Sequence, residues 1–429
     1  FFTSFILLAS LLVLPKVQAA VGDIFTDDNF KYTVLTEEGT TGTVSVAKQS
    51  DTVPSGAVAI PASITQGSVT YSVTVIETLG FANCTSLTSI TIPDSVIYFE
   101  DRAFVNCSSL TNIVVPDSVT SMGEWAFAEC NGLVNVVIGD NVVSTGNYTF
   151  YHCSSLASVV IGDSLSLIYF GSSCFTGCTN LTELTAGENS LNYSSLDGVL
   201  FNKDQTTLVL YPRARSGAYT VPESVINIWD GAFAECEKLT SITIHENVTS
   251  IGHYAFQYCS SLTNITIPKG VPAIGSHTFE GCTNLTGITI PIGVNFIGDS
   301  AFQGCSSLTN ITIPYLVPEI RPYTFKDCTS LTNITIFRGV TTLMGGAFWN
   351  CNSLKTLHFK GNAPTVDNNV FFNCTALEGI YYVEDTAGWS NPWLGIPAET
   401  WAPEPTIGDT FADENFQYVV LSIDGTTGT

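Results

Sequence analysis

Cysteine recurs in this chain at intervals of 23 residues, and this period constrains the fold more than any other feature. Nine of the eleven steps in the series are 23 residues long, and the other two are 25 and 58. A Phe lies three residues before each of these cysteines and a Leu three residues after. Such a fixed period is typical of a solenoid, in which each repeat forms one coil stacked on the last. The series is Cys84, Cys107, Cys130, Cys153, Cys178, Cys236, Cys259, Cys282, Cys305, Cys328, Cys351 and Cys374.

Each repeat contains two spacings of apolar residues. Around the cysteine they recur at three and four residues, which predicts a short helical turn, and after it they alternate, which predicts a short strand. Pro268 follows the strand and ends it, because proline lacks the N–H that a ladder needs. Since ordering one coil costs more than its apolar side chains contribute, coils must stack to be stable. One such set is Val248, Ile251, Ala255, Phe256, Cys259, Leu262, Ile265 and Ile267.

The repeat resembles a known family. Residues Cys259–Pro268 and Ile274–Phe279 fit the unit C-x-S-L-T-x-I-x-I-P followed by I-G-x-x-x-F. In this pattern the chain resembles the BspA-like leucine-rich repeat of bacterial surface antigens, over roughly residues 50 to 400. The resemblance implies a leucine-rich-repeat solenoid, a curved right-handed superhelix with a strand on the inner face of each coil. The period alone equally allows a straighter β-solenoid.

The chain divides into segments at the breaks in the period. An apolar run ending in Val17-Gln18-Ala19 predicts a signal peptide and therefore export, to a secreted, cell-surface or envelope location. Residues 408–429 echo residues 22–43 at a constant offset of 386 (408 minus 22), which predicts the start of a second module in a tandem array. The predicted segments are 1–19, truncated signal peptide; 20–80, β-rich N-terminal cap; 81–186, coils; 187–222, irregular coil with a β-hairpin insertion; 223–377, coils; 378–405, C-terminal cap or linker; and 406–429, second module.

The charge excludes some partners. The net charge is −24, from 38 acidic and 14 basic residues, whereas nucleic acids and anionic lipid surfaces need basic patches. We therefore expect no nucleic-acid partner and no membrane insertion in this segment. The acidity itself favours solubility, and no loop has the spacing of a calcium site. No cofactor or metal is expected.

The cysteines suggest disulfides in an exported protein, but their register favours packing. They fall on the same side of the coil as Phe and Leu, so we expect buried free thiols that act as small hydrophobes. Cys174, which lies where other coils have Ala, is expected to pack in the same way. Replacing Cys282 with Ser is predicted to cost about 1–3 kcal/mol, through a buried hydroxyl without a partner.

No catalytic motif emerges. Gly162-Asp163-Ser164-Leu165 matches a GDSL esterase string but occupies a turn that reads Pro-Asp-Ser-Val in other coils, and no Asp-x-x-His accompanies it. The five histidines fall at different positions of the repeat. We therefore predict that the protein is not an enzyme.

Two sets of residues are candidate contacts. The first is a flat, uncharged ladder on the strands, which either fills a β-compatible surface or binds a protein or glycan. The second combines C-terminal aromatics, which either close the core or form a sugar-binding surface, with arginines of the insertion. The ladder residues are Thr243, Thr266, Thr289, Thr312, Thr335, Asn264, Asn310 and Asn333, and the second set is Trp389, Trp393, Tyr381, Arg213 and Arg215.

These observations favour an exported, non-enzymatic binding or adhesion protein whose partner is a protein or glycan. Each module is expected to be monomeric within its tandem array. The alternative is a structural spacer of a large surface protein, without a ligand of its own. Assigning the function to surface binding rests on analogy with the family and not on a motif.

Overall fold

The structure, a computed structural model, describes residues 19–49, 53–166, 173–402, 410–412 and 417–419. The chain winds into a β-solenoid of about 13 turns of roughly 23 residues. The predicted solenoid is therefore confirmed. The predicted signal peptide lies outside the described residues apart from Ala19, and so does most of the predicted second module.

The first ladder of parallel strands, which is divided among several sheets, is formed mainly by the segments that follow the repeat cysteines; β18 and β33 join it without a preceding repeat cysteine. Equivalent residues of neighbouring coils pair in register, so that Ile265 lies beside Ile288 and Ile311 beside Ile334. Its strands are β7 (Leu87–Thr91), β9 (Asn112–Val114), β11 (Asn135–Val137), β13 (Ser158–Ile161), β14 (Glu183–Ala186), β18 (Gly217–Thr220), β20 (Leu239–Thr243), β22 (Asn264–Thr266), β24 (Gly287–Thr289), β26 (Asn310–Ile313), β28 (Asn333–Ile336), β30 (Thr356–Phe359), β32 (Gly379–Tyr382) and β33 (Ala398–Thr400).

A second parallel ladder is formed by pairs of residues about seven positions further along each coil. Its strands are β8 (Tyr98–Phe99), β10 (Ser121–Met122), β12 (Ser144–Thr145), β19 (Asn227–Ile228), β21 (Ser250–Ile251), β23 (Ala273–Ile274), β25 (Phe296–Ile297), β27 (Glu319–Ile320), β29 (Thr342–Leu343) and β31 (Thr365–Val366).

The segment before each cysteine is not the predicted helical turn, and the described residues contain no helix. Every second N–H leaves the coil: that of Phe256 donates to Thr278 O at 2.9 Å and that of Tyr258 to Glu280 O at 2.6 Å. The N–H groups between them close local four-residue turns, as that of Gln257 does with Tyr254 O, and Tyr254 and Tyr258 have left-handed φ angles of 57° and 58°. A left-handed residue every four positions interrupts a right-handed helix. The spacing of three and four between apolar residues around each cysteine therefore results from consecutive turns and not from a helix.

The core consists of columns of identical side chains. Phe rings of successive coils stack, with centroids 5.5 Å apart and planes within 2° for Phe256 and Phe279. The cysteines form a second column, and the thiol of Cys282 donates to Phe256 O, one coil earlier, at 3.1 Å. Twelve of the thirteen cysteines are buried, and all are free.

The N-terminal unit provides the first strand of both ladders. β4 (Gly56–Ala59) pairs with β7 of the first ladder and β6 (Val69–Ile76) with β8 of the second, both in parallel. Phe30 meets Phe81, the first ring of the Phe column, edge-on at 6.0 Å. The unit therefore packs directly against the first coil. Its strands are β1 (Ile24–Thr26), β2 (Phe30–Glu38), β3 (Thr41–Lys48), β4 (Gly56–Ala59), β5 (Ser63–Gln66) and β6 (Val69–Ile76).

The irregular coil, residues 187–222, contains three antiparallel strands that lie between two separate apolar clusters. These strands are β15 (Tyr193–Leu196), β16 (Val199–Asn202) and β17 (Thr207–Leu210), with β16 pairing to both neighbours. Val199 and Phe201 belong to the C-terminal cluster, whereas Leu200 belongs to the N-terminal one. Because the two faces of β16 pack into different clusters, this strand is continuously apolar. We call this segment the hairpin coil.

The last two strands repeat the pairing of the first two. β34 (Thr410–Ala412) and β35 (Gln417–Val419) are antiparallel, with residue 410 opposite 419. In β1 and β2, residue 24 lies opposite 33, which is the same pairing displaced by 386 (410 minus 24).

Candidate functional site

The five ladder threonines lie in one row on the first ladder, and four of them are exposed while Thr335 is partly buried. Thr266 pairs with Thr289 and Thr312 with Thr335 in strict register. Their neighbours Ile265 and Ile311 point into the core, because side chains alternate along a strand. Within the described residues, none of the five hydroxyls has a hydrogen-bond partner. We call Thr243, Thr266, Thr289, Thr312 and Thr335 the threonine ladder.

The neighbouring asparagines use part of their amides to support this surface. The side-chain NH2 groups of Asn264, Asn310 and Asn333 each donate to the hydroxyl of the preceding threonine, at 3.1 to 3.3 Å. The hydroxyl of Thr332 in turn donates to Thr309 O of the previous coil at 3.0 Å. The amide carbonyls remain as acceptors. The surface therefore presents ordered hydroxyls and carbonyls without charge.

The threonine ladder continues into an aromatic cluster that the sequence analysis recognised only in part. Thr335 pairs with His358, and His358 with Tyr381. The imidazole stacks on the Tyr381 ring at 5.1 Å and meets Trp401 edge-on at 4.7 Å. Burial lowers the pKa of His358 below its usual value, which favours the neutral imidazole. The predicted contact residue Tyr381 therefore continues the row of the threonine ladder, and its next neighbour in the row is the exposed Glu399.

Trp389 and Trp393 lie on the other side of the sheet and pack on the core. Trp393 is 6% exposed. Trp389 stacks on Tyr382 at 4.9 Å with planes within 7°, and it also contacts Phe359. Trp393 is therefore inaccessible to a sugar, and the Tyr382 ring covers one face of the partly buried Trp389.

The two arginines of the insertion are engaged inside the protein. Arg213 is 2% exposed, and its Nη1 forms an ion pair with Glu235. Arg215 donates from Nε to Thr182 O at 2.9 Å and from Nη2 to Asp197 O. Arg213 is therefore inaccessible to a partner, and Arg215 joins the hairpin coil to the preceding coil.

Beside the hairpin coil lies an open cleft of about 280 Å³. The half-exposed indole of Trp229 lines one part of it, and Asn227, Asp230 and Ser250 contribute polar groups. Trp229 occupies the position at which the next coil has Gly252, and the absence of a side chain at Gly252 lets Asp230 pack closely against it. An aromatic surface beside hydrogen-bonding groups suits a sugar ring. The sequence analysis did not identify this cleft.

In the N-terminal half of the first ladder, three consecutive strands have valine at the threonine position, between Thr91 and Thr185. Val114, Val137 and Val160 lie in register on neighbouring strands, and they are 61%, 37% and 40% exposed. We call these three residues the valine row. The sequence analysis considered only the threonine run, although the residue seven after each cysteine shows the change directly.

The buried cysteines are held as neutral thiols. Burial raises the pKa of Cys174, Cys178 and Cys282 to about 12, so their thiols stay protonated at neutral pH. Among the described residues, no group of three or more His, Cys, Asp or Glu side chains is arranged to hold a metal ion. The same part of the chain contains no helix of sufficient length and hydropathy to cross a membrane.

Comparison with known proteins identifies the repeat. A family model described as "BspA type Leucine rich repeat region (6 copies)" matches residues 62–204, 217–315 and 249–378. No curated protein matches the sequence.

Three solved structures are similar in fold. The crystal structure of the pneumococcal vaccine antigen PcpA aligns with a TM-score of 0.63 and 22% identity, over 86% of this chain and 95% of that one. A leucine-rich repeat protein from Eubacterium ventriosum gives 0.52 and 23%, over 82% and 88%. A leucine-rich cell surface protein from Faecalibacterium prausnitzii gives 0.50 and 27%, over 73% and 94%. At these identities the first two comparisons show the fold alone.

Proposed function

The chain belongs to the BspA-type leucine-rich repeat family, and from this premise we propose that it is an exported, non-enzymatic protein that binds a partner on the threonine ladder. The observation that carries the proposal is the row of unpartnered hydroxyls that ends in the His358–Tyr381–Trp401 cluster. An uncharged surface of hydroxyls, amide carbonyls and aromatic rings suits a polar protein surface, because it can be desolvated without removing a charge from water.

A cell-surface location is part of this proposal. The similar structures include a vaccine antigen and a protein described as a cell surface protein, and the sequence begins with the apolar segment that predicts export. We further propose that residues 20–80 and 378–405 close the two ends of the coil array, and that residues 406–429 begin a second module. The protein would then present several ladders in tandem.

A glycan is a second candidate partner, favoured by the Trp229 cleft. Its half-exposed indole can stack on the apolar face of a sugar, while Asn227 and Ser250 can hydrogen bond to ring hydroxyls. This site lies on the second ladder, so it can be tested separately from the threonine ladder. Without a partner at either site, the protein would be a spacer.

Binding of the purified protein to a panel of matrix proteins and glycans tests these assignments. The variant Thr289→Lys/Thr312→Lys should lose protein partners, because two charges would have to be buried at the interface. Thr249→Lys, an exposed threonine beside the second ladder, is the matched control and should retain them. Trp229→Ala should lose glycan partners only.

The binding results would distinguish the three functions. Retention of a protein partner by the double ladder variant would contradict the ladder assignment. Retention of a glycan by Trp229→Ala would contradict the cleft assignment. If the wild-type protein binds nothing on the panel, the spacer function is favoured.

A further inference from the structure

The valine row is a contiguous exposed apolar surface on the four-stranded sheet of β9, β11, β13 and β14, and the equivalent positions of the later strands from Thr243 to Thr335 have threonine. Side chains at this position point outward in every coil, so their polarity is not constrained by the core. Val137 lies between Val114 and Val160 in strict register, and strands about 4.8 Å apart place the three side chains in contact range. Scattered exposed valines are ordinary, but a row of them on one flat surface is typical of an interaction site.

An acidic row runs parallel to the valine row. It contains Asp94, Asp117, Asp140 and Asp163, each ten residues after its repeat cysteine. Asp117 and Asp140 each use Oδ1 to accept the N–H of the next aspartate, at 2.9 and 3.4 Å. The Oδ2 atoms of these two residues make no hydrogen bond within the described residues. Each valine lies three positions before its aspartate, a distance of at most about 10 Å.

The charge of this half is strongly negative as a whole. Residues 81–166 contain eight acidic residues and one basic residue, Arg102. Residues 236–377 contain seven of each, and there the row equivalent to the aspartates includes Lys269 and Arg338. The apolar row and the acidic field therefore coincide in one half and are both missing from the other.

We infer that the valine row and the aspartate row together form a docking surface for a basic protein segment, one that carries aliphatic side chains flanked by lysine or arginine. Burial of aliphatic groups against the valines would supply contact energy. Pairing of the cations with the aspartates would supply orientation and attraction over a distance. This surface is separate from the threonine ladder and does not depend on its function.

The surface can be probed with three extended peptides, alternating Lys and Val, Lys and Ser, or Glu and Val. Their binding to the full chain would be measured by fluorescence anisotropy at about 0.02 and 0.15 M salt. The Lys/Val peptide should bind about tenfold more tightly than the other two, since only it matches both rows, and it should weaken at the higher salt. Equal binding of all three peptides, or none, would overturn the inference.

Two variants locate the binding. Val114→Thr/Val137→Thr/Val160→Thr gives this half the threonines of the other while keeping β-branched side chains, so the fold should persist, as judged by circular dichroism. It should weaken the Lys/Val peptide by about tenfold. Asp117→Asn/Asp140→Asn should weaken it by a similar factor and remove most of its salt dependence.

A matched control separates local from global charge. Glu246→Gln/Asp367→Asn removes the same number of exposed acidic charges from the other half and should leave peptide binding unchanged. If the control weakens binding as much as the Asp117/Asp140 variant does, the attraction is nonspecific and the inference is wrong. It is equally wrong if the folded threonine variant binds like the wild type.

Discussion

A regular coil and the hairpin coil solve the same packing problem in different ways. In the coil that begins at Cys259, Phe and Cys repeat those of the neighbouring coils, and the buried thiol has a carbonyl acceptor. In the hairpin coil, Tyr211 takes the Phe position, tilted by 32° at 5.1 Å from Phe233. Its N–H donates to Ala232 O at 2.8 Å, as the equivalent Phe N–H does in the regular coils.

The buried arginine is the main chemical difference. Arg213 forms an ion pair with Glu235, whose Oε2 also accepts the N–H of Gly177 at 2.8 Å. The Nε and Nη2 atoms of Arg213 are buried and have no partner. Where the period holds, the core is apolar and its thiols have hydrogen-bond acceptors. Where the period breaks, a charge is buried and the core divides into two clusters.

The thiol column should make the whole array sensitive to alkali, which is the largest effect we expect. In the folded protein, burial raises the pKa of the Cys282 and Cys328 thiols above the usual value for cysteine. In the unfolded chain, a thiol ionises near pH 8.5. The unfolded state therefore loses protons first, and stability falls as pH rises above about 8.5, by about 1.4 kcal/mol per pH unit for each buried thiol. Denaturant titrations between pH 7 and 10 would measure this.

Below pH 8 the same thiols should leave stability unchanged, because both states are protonated. Cys282→Ala serves as the control, since it should reduce the alkaline slope by the contribution of one thiol. Equal stability at pH 8 and pH 10 would show that the column is not buried as a set of neutral thiols.

Removing one ring from the Phe column should be the most damaging single substitution in a regular coil. Phe279 is fully buried between two stacked rings, so Phe279→Ala should lower the free energy of unfolding by about 3–5 kcal/mol. Tyr258→Ala, which truncates a ring that is 44% exposed, should cost well under 1 kcal/mol, roughly as other surface substitutions do. A cost below about 1 kcal/mol for Phe279→Ala would contradict the stacked core.

At the hairpin coil, the partners of the buried ion pair should behave differently from apolar core residues. Glu235→Ala leaves the guanidinium buried without its carboxylate and should cost about 2–3 kcal/mol, less than a fully buried pair because Glu235 is partly exposed. The double variant Arg213→Met/Glu235→Gln removes both charges and should recover most of this loss. Chemical denaturation of both variants tests this. If Glu235→Ala has unchanged stability, the buried guanidinium of Arg213 does not depend on the Glu235 carboxylate.

The smallest effect should come from Cys282→Ser. The sequence analysis assumed that the serine hydroxyl would have no partner, but Phe256 O accepts from the thiol at 3.1 Å and can accept from a hydroxyl. We therefore expect a cost of about 1 kcal/mol, the low end of the original range. A loss above about 3 kcal/mol in the same denaturation assay would mean that this acceptor is out of reach of the serine.

Much of the array follows from the period, because identical residues at equal spacing must meet when coils stack. The Phe and Cys columns and the alignment of Thr266 with Thr289 are of this kind. The prediction of a helical turn around each cysteine was wrong, because apolar spacings of three and four residues fit a helix and a series of turns equally well. Only the bonding of every second N–H to the next coil distinguishes the two.

The candidate surfaces were predictable to different degrees. The threonine ladder required only the register, whereas Trp389, Trp393 and Tyr381 are close in sequence and yet lie on different faces. Arg213 resembles an exposed cation in the sequence, and its burial results from the return of the chain after the hairpin. The valine row occupies the same position of the repeat but lies in coils that precede the run of threonines from Thr243 to Thr335.

By itself, the sequence determined a stacked array of coils and the side chain that each coil places at each position. This works because a solenoid turns a sequence period directly into spatial neighbours. The tertiary structure decided what happens where the period fails: the two faces of β16, the buried Arg213–Glu235 pair, and the joining of His358, Tyr381 and Trp401. These depend on contacts between segments with no shared spacing, which only the folded path of the chain can bring together.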